Sequence, residues 1–229
     1  MGLFGGSSSG EISGYNCEQV NALRDVINST AEQAGNGIVE RLHSDIVVPM
    51  SSVWYAPEAV DFFEGFATTV KASGENITKA FDAFRGAVES AGKNWAENTG
   101  GEAPNLPAID TVELDLNVSD IQPENGGNVT IDEGQASTSA GNLTEVEEGI
   151  KSDLESLAEG LNAETAFIGH GQADALQTCF VQVSGEIHKI FKYLTDGEDS
   201  LQGQINKAVQ KYSDVSTGIS DAFSNTSAE

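Results

Sequence analysis

The side chains that could carry chemistry in this chain are three histidines, two cysteines and 36 carboxylates. Each reaction they could serve needs a spacing that is missing. Zinc held on a helix needs a second ligand one turn away. His43 and His188 fall on helical stretches without one, and His170 sits between two glycines in a turn. A structural zinc site needs clustered thiols, whereas Cys17 and Cys179 are far apart and outside any CxxC. They read either as two buried free thiols or as one long-range disulfide. A di-metal centre inside a helical bundle needs two Glu-x-x-His motifs, which the chain does not have. Asp110, Asp115, Asp120 and Asp132 lack the EF-hand spacing and its terminal glutamate, leaving at most a weak calcium site in that stretch. Nucleophile elbows, phosphate loops and dinucleotide fingerprints do not occur. The expectation is a protein that is not an enzyme and uses no cofactor, metal or small-molecule ligand. Six Asn-x-Ser/Thr triplets, Asn76-Ile77-Thr78 among them, have the form of glycan acceptors, but without an export signal they read as chance.

The charge narrows the partners. Eleven basic against 36 acidic residues give a formal net charge of -25. Phosphate backbones and anionic membrane surfaces are bound by clustered Lys and Arg, and here the few cations are scattered among carboxylates, so nucleic acid is excluded as a partner. A hydrophobic fraction of 38% is enough to bury a core. No apolar run reaches the length of a transmembrane helix. The opening Met1-Gly-Leu-Phe-Gly-Gly-Ser-Ser-Ser-Gly10 is neither a secretory signal peptide nor a myristoylation site, since Gly6 stands where Ser or Thr is required; residues 1–14 read as a flexible Gly/Ser arm.

The elements that must position any function are long helices. Val20, Leu23, Ile27, Ala31, Ala34, Ile38 and Leu42 recur by threes and fours, predicting a helix from about Tyr15 to Ile46 that Pro49 and Ser51-Ser52 end. Gly35 and Gly37 weaken its middle, each by about 1 kcal/mol. Pro57 fits a first helical position, with Glu58 and Asp61 favouring the positive end of the dipole. Phe63, Phe66, Val70, Ile77, Phe81, Phe84, Val88, Ala91 and Trp95 then form a heptad seam, predicting a second helix to Asn98 of roughly 60 Å. Residues 99–141 break the pattern. Thr111–Ser119 alternates apolar and polar, Asn125-Gly126-Gly127 is turn-like and Val129-Thr130-Ile131 follows, so this stretch is either an acidic linker or a small β-hairpin. A third helix from Leu143 to Leu161 carries Leu143, Val146, Ile150, Leu154, Leu157 and Leu161. A fourth, from about Ala173 to Phe223, carries Leu176, Phe180, Val183, Ile187, Ile190, Leu194, Leu201, Ile205, Val209, Tyr212, Ile219 and Phe223, with a bend at Thr195–Asp199. The predicted fold is all-α: two antiparallel helical hairpins, residues 15–98 and 142–229, packed as a four-helix bundle around the inserted linker.

The two turns are the most specific stretches. Val53-Trp54-Tyr55-Ala56-Pro57 and Ala166-Phe167-Ile168-Gly169-His170 each place an aromatic, one residue and a small residue ahead of a long apolar helix. This pattern resembles the WXG100 family, the helical hairpins of type VII secretion, in which a Trp-x-Gly turn joins two antiparallel helices. The first turn has Ala56 where the family has Gly; the second has Gly169 but Phe167 where the family has Trp. Phe180, Val183, Ile187, Ile190, Leu194, Val209 and Tyr212 resemble the family's second helix. The family's C-terminal Tyr-x-x-x-acid pattern is missing: Tyr193 is followed at that distance by Gly197, and Tyr212 by Ser216.

The resemblance implies a fused pair of hairpins that is a type VII secretion substrate or partner, secreted or on the cell surface without a classical signal peptide. Trp54, Ala56, Phe167 and Gly169 would then be its interaction motif, or else caps on the bundle ends. The alternative is a self-assembling subunit of a filament, phage-like particle or surface layer, cytoplasmic or part of a virion. A pore-forming toxin is a weaker third reading, because the helices stay amphipathic. Either leading role needs a protein partner or self-association. If the hairpins pack head to tail, Cys17 and Cys179 come to the same end, where a disulfide would need suitable geometry.

Overall fold

The computed structural model describes residues 14–161, 167–168 and 172–226. Of the described residues 76% are helical, with little strand. The elements run in an order that repeats. A two-residue strand β1 (Gly14–Tyr15) precedes the helix α1 (Cys17–Leu42), which a five-residue π-helical stretch (His43–Val47) joins to α2 (Val48–Ser51). A strand β2 (Trp54–Tyr55) leads into α3 (Pro57–Thr99). The second half has β3 (Thr130–Ile131), α4 (Glu133–Gly141), α5 (Leu143–Gly160), β4 (Phe167–Ile168), α6 (Gln172–Thr195) and α7 (Leu201–Thr226). Each half therefore reads strand, helices, aromatic strand, long helix.

The local stops follow from single residues. Pro49 has no N–H and its ring would meet the carbonyl four residues back in an α-helix. The helix widens over His43–Val47, where the Val48 N–H donates to the His43 carbonyl, and then passes through Pro49 to end at Ser51. Proline thus displaces the hydrogen bonding instead of ending the helix where it stands. Pro57 opens α3 as predicted. Thr195–Asp199 does more than bend the fourth helix: Gly197, at φ +81°, ends α6, and the Ser200 hydroxyl accepts from the Gly203 N–H to restart α7.

The strands pair reciprocally. β1 lies antiparallel to β4, with Gly14 opposite Ile168 and Tyr15 opposite Phe167. β2 lies antiparallel to β3, with Trp54 opposite Ile131 and Tyr55 opposite Thr130.

Two units emerge, and α1, α3, α5 and α6 each contribute a part to both. One holds the chain up to Asn36 with Gly74–Glu113 and Lys151–Glu186. Its core joins Val20, Leu23 and Ile27 of α1 to Ile77, Phe81 and Phe84 of α3, and to Phe180 and Val183 of α6. Phe81 and Phe180 meet edge to face at 5.6 Å. The other holds Gly37–Ser73, Leu114–Ile150 and the chain from Ile187. Its core joins Ile38, Leu42, Ile46 and Met50 to Phe63 and Phe66, and to Ile187, Ile190, Phe191 and Leu194.

Residues 101–118 form no β-hairpin: they are a strap without regular structure. Its alternation is real. Val112, Leu114 and Leu116 are buried while Thr111, Glu113 and Asp115 face out. The backbone partners, however, are helix side chains and not a second strand. The N–H groups of Asn105 and Asp110 donate to Asn21 and Asn28 of α1, at 2.9 and 2.7 Å, and those of Ile109 and Val112 to Asp82 and Thr78 of α3, at 3.3 and 2.9 Å. Val129-Thr130-Ile131, expected to be the second strand of the hairpin, supplies β3 and pairs with the Trp54 turn. Asn125 and Asn128 close the turn before it, over Gly126 and Gly127 at φ +58° and +83°.

Arg85 fastens the strap. Its Nη1 donates to the Leu106 carbonyl at 2.5 Å and to Glu89 at 2.9 Å, and its Nε donates to Asp82 at 2.7 Å. Only 13% of its side chain is exposed. Replacing Arg85 with Met should cost about 2 kcal/mol, because a charge-assisted bond to the strap is lost and Asp82 loses its cation, while Glu89 keeps Lys93. Limited proteolysis should then cut first between Pro104 and Val112; an unchanged cleavage pattern refutes the role. Acid should act the same way. Arg85 holds the Asp82 carboxyl below its ordinary 3.8, and Lys93 and then Arg85 hold that of Glu89 below 4.5. Carboxylates lowered in the folded state contribute stability that is complete above these ordinary values and is lost as pH falls through the lower folded ones. Pepsin should reach the strap only as pH drops below 3.8.

Candidate functional site

The Trp54 turn is the best-built candidate. Met50, Val53, Trp54 and Ala56 are all buried, Trp54 and Ala56 completely. Ala56 starts α3, its carbonyl accepting from the Ala59 and Val60 N–H groups. Beside the paired β2 and β3, the Asp132 N–H donates to the Val53 carbonyl at 2.8 Å. The Asp132 side chain caps α4 by accepting from the Gln135 N–H at 3.0 Å. The turn thereby fixes where α4 begins, and α4 packs on α2 and α7. Glu58, in the first turn of α3, accepts from Lys211 of α7, and this bond holds its carboxyl below the usual range. Burial pushes the neighbouring Tyr212 hydroxyl up. The Trp54 indole N–H has no partner among the described residues, so the ring works here as apolar volume.

The second turn is placed only at its backbone. Phe167 pairs with Tyr15; Gly169 and His170 lie outside the described residues. The two aromatic turns thus share one construction: each is covered by the two residues that lead into the other half's first helix.

Among the described residues no group of three His, Cys, Asp or Glu side chains could hold an ion. His43 belongs to the single motif Glu40-Arg41-Leu42-His43, and its Nε2 lies 3.4 Å from Asp120 Oδ2, an ion-pair distance without hydrogen-bond alignment. His188 Nδ1 lies 3.1 Å from Glu147. Each acid of the supposed calcium stretch has its own task. Asp110 takes Arg24 at 3.4 Å, Asp115 takes Lys71 at 2.8 Å, Asp120 faces His43, and Asp132 caps α4.

The cysteines are free, correcting the disulfide reading. Cys17 is half-buried, and its Sγ takes a bond from the Asn21 amide one turn along its own helix, at 3.7 Å. Cys179 is buried, which pushes its thiol up to about 12. A thiol reagent at pH 8 should therefore label Cys17 alone, and both cysteines only in denaturant, since the thiolate is the nucleophile. Two rapid labels on the folded protein would contradict the burial of Cys179.

Sequence reasoning missed β1 and β3 as turn covers, and Arg85 as the strap's clasp. The signal for β3 was present in Val129-Thr130-Ile131; its partner was misassigned. Arg85 gave none, because its role depends on a strap that arrives only in three dimensions. No helix among the described residues is long and apolar enough to cross a membrane. Comparison with family models, curated proteins and solved structures gave no match.

Proposed function

We propose that this protein is a non-enzymatic interaction protein built as a fused pair of WXG100-like hairpins, packed antiparallel as a four-helix bundle, and that it is a substrate or partner of a type VII secretion system. The observation that carries the reading is the reciprocal covering of the two aromatic turns. A pair of similar hairpins related head to tail places each turn beside the strand that enters its partner, and the repeated order of elements in the two halves fits that origin. The charge of -25 and the absence of a membrane-crossing helix among the described residues suit a protein handled by other proteins. The missing Tyr-x-x-x-acid pattern favours export alongside a partner that carries it. In the native cell, the chain should leave only while the secretion ATPase is present. Equal amounts outside the cell with and without that ATPase, or none in either strain, refute the reading.

A self-assembling subunit is the second reading, and one observation favours it. Among the residues of α7 whose burial is described, Ala208 is the last buried one; Ser213–Ser220 is exposed throughout, with Val215 and Ile219 more than half exposed. The seam predicted to bury Ile219 thus continues past the core with nothing on it among the described residues. Light scattering should show association that Val215→Ser with Ile219→Ser abolishes; a monomer at high concentration excludes this reading.

A further inference from the structure

Of the six Asn-x-Ser/Thr triplets, the one that begins at Asn225 runs outside the described residues, and the structure separates the other five. Asn28 and Asn76 lie within α1 and α3. In a helix, residues two apart do not face each other, so the asparagine amide and the hydroxyl two residues on cannot be offered to one site. Asn76 also donates its amide nitrogen, the atom a transfer would use, to Glu186 at 3.2 Å. Asn128 donates its amide nitrogen to the Asn125 carbonyl at 3.4 Å, and Asn142 stands between α4 and α5 with its Thr144 inside α5.

Asn117-Val118-Ser119 differs from all of these. It leaves the strap in an exposed turn held at both ends by buried side chains, Leu116 before it and Ile121 after it. The Ile121 N–H donates to the Val118 carbonyl at 3.0 Å, closing the turn. The Ser119 N–H donates to Asn117 Oδ1 at 2.9 Å, a local Asx turn that loops the triplet. That bond draws electron density toward Oδ1 and makes the Nδ2 protons easier to remove. Asn117 and Ser119 are both exposed. Asp115 stands two residues ahead, and no other triplet in the chain has an acid there.

We infer that Asn117 is an acceptor site for an N-linked glycan, drawn from a polyprenyl-pyrophosphate-linked oligosaccharide once the chain is outside the cytoplasm. This rests on the export part of the proposed function. In the transfer, the Asn117 amide nitrogen attacks C1 of the first sugar. The C1–N bond forms, the C1–O bond to phosphate breaks, the lipid pyrophosphate leaves with the electron pair, and one amide proton passes to a base of the transferase. No electron donor or acceptor is needed. The glycan would sit on the strap at a point where no backbone or core group has to move.

The test uses the folded full chain, a purified bacterial single-subunit oligosaccharyltransferase and its lipid-linked oligosaccharide, read by intact mass and peptide mapping. The expected result is one glycan, on Asn117, abolished by Asn117→Gln and by Ser119→Ala and kept by Ser119→Thr. The inference is overturned if the chain stays unmodified while a free peptide of the same Asp115–Ser119 sequence is converted, or if another triplet is modified and Asn117 is not. It is equally overturned if protein recovered outside its own cell carries no glycan at Asn117. Because the purified reaction bypasses export, its failure leaves the secretion reading standing, and a chain that never leaves the cell removes the secretion reading without altering the acceptor chemistry.

Discussion

Replacing Trp54 with Ala should destabilise the protein by about 3–5 kcal/mol, the cost of removing a large aromatic from a site that cannot collapse. Trp54 is completely buried, and so are its neighbours Met50 and Ala56. The ring also carries one end of the β2–β3 pair, opposite Ile131. For a chain of this size the loss corresponds to a fall of about 6–20 °C in Tm. Amide exchange should rise at Asp132, whose N–H is bonded to the Val53 carbonyl. Trp54→Phe should recover most of the loss, since the indole N–H has no partner to lose. A change below about 1 kcal/mol for the Ala variant would mean the turn is not a packing site. A Phe variant with intact stability and lost partner binding would show instead that the indole is read from outside.

Gly65→Ala is expected to cost about 1–3 kcal/mol through overpacking. A methyl group on Gly65 would overlap the hydroxyl of Tyr193. That hydroxyl reaches the Phe62 carbonyl at 3.5 Å, and its ring packs against Phe62 and Phe66 with centroids at 5.5 and 6.0 Å. The tyrosine cannot swing aside without unstacking from both rings. Tyr193→Phe alone should cost about 1 kcal/mol, because the hydrogen bond is long. In the Gly65→Ala background the same change should be stabilising, since it removes the overlapping atom. Chemical denaturation of the four proteins gives the coupling directly. Strict additivity would mean that Gly65 is selected for something other than Tyr193.

The mutational sites fall on features of very different legibility. The start of α3 at Pro57 and the burial of Phe63, Phe66, Val70, Ile77, Phe81, Phe84 and Val88 follow from spacing alone. The same seam fails at its end: Ala91 and Trp95 are half-buried and Ala96 is buried instead. A straight helix drifts by about 20° for each heptad, so a strict seven-residue pattern moves off the core over a helix this long. Pro49 reads as a stop because sequence rules assume an α-helix on both sides of it, and a π-helical stretch escapes that rule. The Trp54 turn was identifiable as a special site by residue type, but not the strand that covers it.

What the sequence determined by itself is whatever depends on neighbours three to seven residues apart: helix phase, the proline start of α3 and the acidic composition. Only the tertiary structure decided the strap, the reciprocal covering of the two turns, the free state of Cys17 and Cys179, and the exposure of Asn117 against the engagement of Asn28. The alternation in Thr111–Ser119 says that one face is buried, and a strand or a helix groove can bury it equally well. Side chains such as Thr78, Asp82 and Arg85 settle that choice, and they reach the strap from far along the chain. Periodicity records which face of an element is apolar; the partner that covers it is set by long-range packing, which leaves no local mark in the sequence.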